Sequence, residues 1–79
     1  MKEILFDKIR EIINSCLENV EIFEDMMNED LTKMGMDSIT FIRIIVALEE
    51  EFECEVPDSK LLITEMNTVA KMIQVLKDI

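Results

Sequence analysis

The residues with the clearest chemical potential are the string Gly35-Met36-Asp37-Ser38-Ile39. An aspartate placed before an apolar helical pattern is a strong N-cap, because its carboxylate accepts from amides of the first turn. Ser38 then falls at the first helical position, beside unpaired backbone N–H groups and the partly positive helix end. A serine oxygen that has to become a phosphodiester is well placed there, since the anion meets a favourable field and spare donors. A loop–helix boundary also leaves the hydroxyl reachable by another enzyme. By itself the string marks only a helix start, so its meaning depends on the elements around it.

Other chemistries are poorly supplied. The chain has 79 residues and no histidine, so neither a Ser-His-Asp nor a Cys-His arrangement can form within it. Two cysteines without histidine make a poor zinc site. No GxGxxG, Walker-type or Ca²⁺-loop pattern is present. A chain this short buries only roughly 60% of the surface exposed when unfolded, too little to enclose a catalytic cavity. Catalysis by this chain alone is disfavoured.

Charge narrows the partners. Eighteen acidic residues against eight basic ones give a net charge of −10. Phosphate backbones and anionic lipid surfaces repel such a chain, which disfavours nucleic acid and membrane, whereas a basic patch on a protein is its natural complement. The start, Met1-Lys2-Glu3-Ile4, lacks the apolar stretch of a secretory signal, and no run approaches transmembrane length. The expected compartment is the cytoplasm, where Cys16 and Cys54 would be buried free thiols.

One glycine and one proline, 49% apolar content and no strand-like alternation predict an all-α domain spanning residues 1–79. A first helix is expected over residues 2–19, with Leu5, Ile9, Ile12, Ile13, Cys16, Leu17 and Val20 at three- and four-residue spacing. Residues 21–36 form a long connection, of a length that often carries function. Its apolar anchors Ile22, Phe23, Met26, Met27, Leu31 and Met34 predict an ordered loop, with Asn28 capping a single turn and Gly35 as its left-handed stop. A second helix should run from Asp37-Ser38 to near Glu53, burying Phe41, Ile44, Ile45, Leu48 and Phe52. A short third helix is expected over residues 58–63. The last should start at Asn67-Thr68 and bury Val69, Met72, Ile73, Leu76 and Ile79. Three longer helices and one short one close a four-helix bundle.

On the serine helix, Ile39, Ile42, Val46, Glu49 and Glu50 share a side distinct from the core stripe. They form an apolar docking patch rimmed by acid, unless Met26, Met27 and Met34 cover them.

After Ser38 the chain reads Ile39-Thr40-Phe41-Ile42-Arg43-Ile44-Ile45-Val46-Ala47-Leu48-Glu49-Glu50-Glu51-Phe52, followed by Val56-Pro57-Asp58. Together with the Gly-x-Asp-Ser-Ile turn, this resembles the acyl carrier protein family along the whole chain. The resemblance implies a four-helix bundle whose serine, here Ser38, carries 4′-phosphopantetheine, with cargo held as a thioester on the arm's thiol. It also implies a phosphopantetheinyl transferase as partner, with Asp37 in its recognition, and loading and processing enzymes with basic docking patches. The carrier would be a monomer and not an enzyme. Thr40 and Arg43 stand where the compact fatty-acid type usually has acids, and the stretch Ser59-Lys60-Leu61-Leu62-Ile63-Thr64-Glu65-Met66-Asn67 is longer than its counterpart. Both features look more like carriers of polyketide or nonribosomal peptide assembly. A housekeeping fatty-acid carrier is the alternative, and an unmodified acidic interaction module is the alternative of another class.

Overall fold

The computed structural model describes residues 6–17 and 21–78. Among these there are three α-helices and no strand: α1 Phe6–Cys16, α2 Ser38–Phe52 and α3 Val69–Asp78. The expectations for Leu5, Val20 and Ile79, and for the ends of the first helix, lie outside the described residues.

Each helix forms because its apolar residues recur on one side. α1 buries Ile9 and Ile13, and the bond from the Leu17 N–H to the Ile13 carbonyl carries a third apolar residue into the core. α2 buries Phe41, Ile44, Ile45, Leu48 and Phe52, the expected stripe. α3 buries Val69, Met72, Val75 and Leu76, with Ile73 only half-buried at the edge. The start of α3 is capped by Thr68, whose hydroxyl accepts from the Lys71 N–H at 3.1 Å. α1 packs against both α2 and α3. The connections complete the core with Ile22, Leu31, Met36, Val56 and Met66.

The structure corrects several local expectations. The short third helix over residues 58–63 is instead two 3-10 turns, Asp58–Lys60 and Ile63–Glu65. Leu62 between them is extended, with φ −125° and ψ 138°. That extended residue lets Leu61 and Ile63 both turn toward the core while Leu62 faces out, a pattern that a continuous helix with 100° steps cannot give. The fourth helix of the expected bundle is therefore replaced by this segment.

In the connection 21–37 there are two 3-10 turns, Glu24–Met26 and Leu31–Met34. The second is capped by Asp30, not Asn28: the Asp30 carboxylate accepts from the Thr32 N–H at 3.0 Å and from the Thr32 hydroxyl at 2.6 Å. Asp30 stands directly before the turn, within Asx-turn range, whereas Asn28 is three residues ahead of it. Ile22 and Leu31 are buried as expected, but Phe23 is exposed. Cys16 and Cys54 are half-buried, not buried, and Cys54 lies beyond α2, after the left-handed residue Glu53 (φ 52°) that ends it.

Candidate functional site

Gly35 adopts φ 106°, a left-handed conformation open to glycine. No atom lies within 4 Å of where a Cβ would stand, so the demand for glycine comes from the backbone angle alone. Its N–H closes the preceding turn on Leu31 and Thr32, and the Met36 N–H bonds back to the Leu31 carbonyl at 3.1 Å.

Met36 is the residue that sequence reasoning missed. It is buried, as is Phe41, and the two stand immediately before the cap and four residues into the helix. Those are the positions of a hydrophobic staple, which fixes the angle at which a chain enters its helix. The signal was available in the spacing of Met36, Asp37 and Phe41.

Asp37 caps α2 as expected. Its backbone is extended, and its carboxylate accepts from the Thr40 N–H at 2.8 Å. That bond, aided by the Thr40 side chain, holds the carboxyl below its usual range. Asp37 is thus the acceptor that anchors the start of the helix, and Ser38 follows as its first residue with its side chain in solvent. Beside Ser38 runs a groove of about 390 Å³, lined by Ile42 of α2 and by Leu61, Leu62, Ile63 and Thr64 across from it.

The candidate docking residues divide into two groups. Ile39, Ile42 and Val46 are 70%, 50% and 46% exposed, so the loop methionines do not cover them. Met26, Met27 and Met34 are half-buried against the core instead. Glu50 is also exposed. Glu49 is half-buried, and its Oε2 accepts from the Val56 N–H at 2.8 Å, tying the end of α2 to the chain that follows. Sequence periodicity put Glu49 on the exposed side without revealing this bond.

The chain matches the family model described as a phosphopantetheine attachment site over residues 7–76. It is 41% identical over 54 residues to the acyl carrier protein of Clostridium perfringens strain SM101, covering 68% of this chain and 71% of that one. It is 32% identical over 59 residues to the acyl carrier protein of a Sulfurovum species, covering 71% and 75% of the two chains. A third relative, the acyl carrier protein of Campylobacter fetus, is 30% identical over 56 residues, or 71% and 73% of the two chains. The chain belongs to the acyl carrier protein family.

Members of this family are carriers, not enzymes, and hold 4′-phosphopantetheine covalently. The site fits that group: an exposed serine hydroxyl opens a fifteen-residue helix whose end is favourable to an anion, next to a partly apolar groove. When attached, the arm supplies a thiol on which cargo rides as a thioester. Among the described residues, no cluster of side chains could hold a metal ion, and no helix is long and apolar enough to cross a membrane.

Proposed function

We propose that Ser38 is the attachment residue and that residues 1–79 act as one carrier domain tethering acyl or aminoacyl intermediates. The observation that carries this reading is the placement of the Ser38 hydroxyl. It is exposed at the first residue of α2, with Asp37 and the buried Met36 fixing the chain that leads to it. A phosphodiester at the Ser38 Oγ would sit at the positive end of α2. The groove wall from Leu61 to Thr64 offers apolar surface to the arm or its cargo. Tethering converts meetings between cargo and successive active sites into effectively intramolecular events.

The partners in this reading are a phosphopantetheinyl transferase and the loading and processing enzymes, all in the cytoplasm and meeting a monomeric carrier. They would dock on Ile39, Ile42 and Val46, with Glu50 and the remaining acceptor capacity of Glu49 at the rim. Asp37 would serve the transferase by presenting Ser38 in one orientation. A specialised pathway, of polyketide or nonribosomal peptide type, is supported by Thr40 and Arg43 near the start of the docking helix. Housekeeping fatty-acid synthesis is the second reading.

Mass measurement tests the attachment. Co-expression with a broad-specificity transferase should add one phosphopantetheine to the wild-type chain and none to Ser38→Ala, whose helical circular dichroism should be unchanged because Asp37 still caps α2. Modification that persists in Ser38→Ala, or moves to Ser15 or Ser59, overturns the assignment. An unmodified wild type under the same conditions would favour the interaction module.

A further inference from the structure

Ile39, Arg43, Val46 and Glu50 follow one another along α2 at steps of four, three and four residues, and all four are exposed. That spacing makes them a single ridge on the helix surface. The ridge is apolar at two positions, acidic at its far end and cationic at Arg43. In a chain of net charge −10, Arg43 is the one basic residue of α2. Lys60 meets Glu65 at 3.4 Å, and the Lys71 ammonium donates to Thr64 and Asn67. Arg43 makes no ion pair among the described residues. Its neighbours one turn away along α2 are Ile39, Thr40, Val46 and Ala47. On its other flank lies a groove of about 340 Å³, whose far wall is Cys16, Leu17, Met34 and Gly35. None of these is charged.

Position along the helix makes this cation relevant to partners. Arg43 lies about 7.5 Å along the axis from Ser38, and Glu50 about 18 Å. A standard interface covers about 800 Å² per partner, roughly 30 Å across, so a protein seated over Ser38 spans both. Arg43 is about 140° around the helix from Ser38, so it faces the docking protein and not a group carried on the serine.

We propose that Arg43 selects partners by pairing with a carboxylate on the docking protein. α2 would then prefer a partner whose apolar pocket is bordered by an acidic side chain near the Ser38 end and by a basic one facing Glu50. This rests on the reading that Ile39, Ile42 and Val46 form the docking face. A guanidinium offers a planar fork of donors that matches a carboxylate, and a rim charge acts mainly on encounter rate and on rejection of wrong partners.

Two phosphopantetheinyl transferases of known structure serve as probes, one with an acidic and one with a basic side chain at the rim facing Arg43 in the second turn of α2. Arg43→Glu should lower kcat/KM about tenfold with the acidic-rimmed enzyme and raise it with the basic-rimmed one, the scale of a rim charge in electrostatic encounter. Arg43→Gln should fall between wild type and Arg43→Glu with both enzymes, and it keeps the test open if the glutamate variant folds poorly. Rates that move in the same direction with both enzymes, or with neither, overturn the role of Arg43. Ile42→Asp separates this from the underlying reading: it should slow both enzymes whatever their rim charge. If Ile42→Asp slows neither, the docking face itself is wrong.

Discussion

The two connections of this carrier are built differently. Residues 21–37, which deliver Ser38, are tied to distant parts of the chain at several points. The Ile22 N–H donates to the Asn14 side chain at 3.3 Å, the Leu31 N–H to the Asn67 carbonyl at 2.8 Å, and the Ala70 N–H to the Met27 carbonyl at 2.9 Å. Ile22, Leu31 and Met36 are buried along the same stretch. Residues 53–68, which form the opposite wall of the groove, close their turns on themselves, as in the bonds from Lys60 to Pro57 and from Met66 to Ile63, and are tied to the rest of the chain at Val56, Thr64 and Asn67. Val56 and Met66 anchor this wall in the core, while Leu62 between them is 56% exposed. The Lys60–Glu65 ion pair adds little, because both partners are well exposed. The two differ in how much they enclose: the chain leading to the serine sinks Ile22, Leu31 and Met36 fully into the core, whereas the wall facing it buries Val56 and Met66, half-buries Leu61 and Ile63, and leaves Leu62 in solvent.

Removing one leucine from each connection should separate them most sharply. Leu31→Ala should cost about 2–5 kcal/mol in urea unfolding, because it leaves a cavity in a fully enclosed site. Leu62→Ala should stay within about 0.5 kcal/mol, as exposed substitutions do. Equal losses in the two variants would show that the groove wall is as firmly packed as the serine loop.

A smaller effect should distinguish two neighbouring acids on α2. Glu49→Ala should destabilise by about 1 kcal/mol, since the Val56 N–H loses its acceptor. Glu50→Ala should be near neutral in the same unfolding measurement and should appear only in partner kinetics. If Glu50→Ala is the more damaging to the fold, the assignment of Glu49 as the tie between α2 and Val56 is wrong.

The smallest effect is one of pH. Hydrogen bonds from Thr40 lower the Asp37 carboxyl in the folded state, and those from Thr32 lower Asp30, each below an ordinary value of 3.8. A carboxyl whose folded value lies below its unfolded value stabilises the fold above the unfolded value, and that contribution fades as pH falls through the folded one. Wild type should therefore lose stability as pH drops below about 4. Asp37→Asn keeps a capping oxygen but cannot titrate, so its melting temperature should fall less steeply over that range. Parallel pH profiles for the two proteins would show that the Asp37 cap does not depend on its charge.

Much of the site was legible in the sequence because it is local. Gly35 stops a turn by a positive φ that its missing Cβ allows, and Asp37 caps the helix through an amide three residues away. The three amphipathic stripes follow from the 3.6-residue repeat, and the carrier resemblance rested on the serine string they frame. These features require only neighbours in the chain and the sterics of the backbone.

Tertiary structure decided the rest. Residues 58–65 became two 3-10 turns because Leu61 and Ile63 both had to reach the core across the extended Leu62. Glu49 was drawn from the solvent-facing side of α2 by an amide seven residues later. Whether Ile42 and Val46 would be covered depended on where the loop methionines found their own burial, and they found it against the core. In each case segments distant in sequence competed for the same limited apolar interior, and helical periodicity cannot say which of them wins.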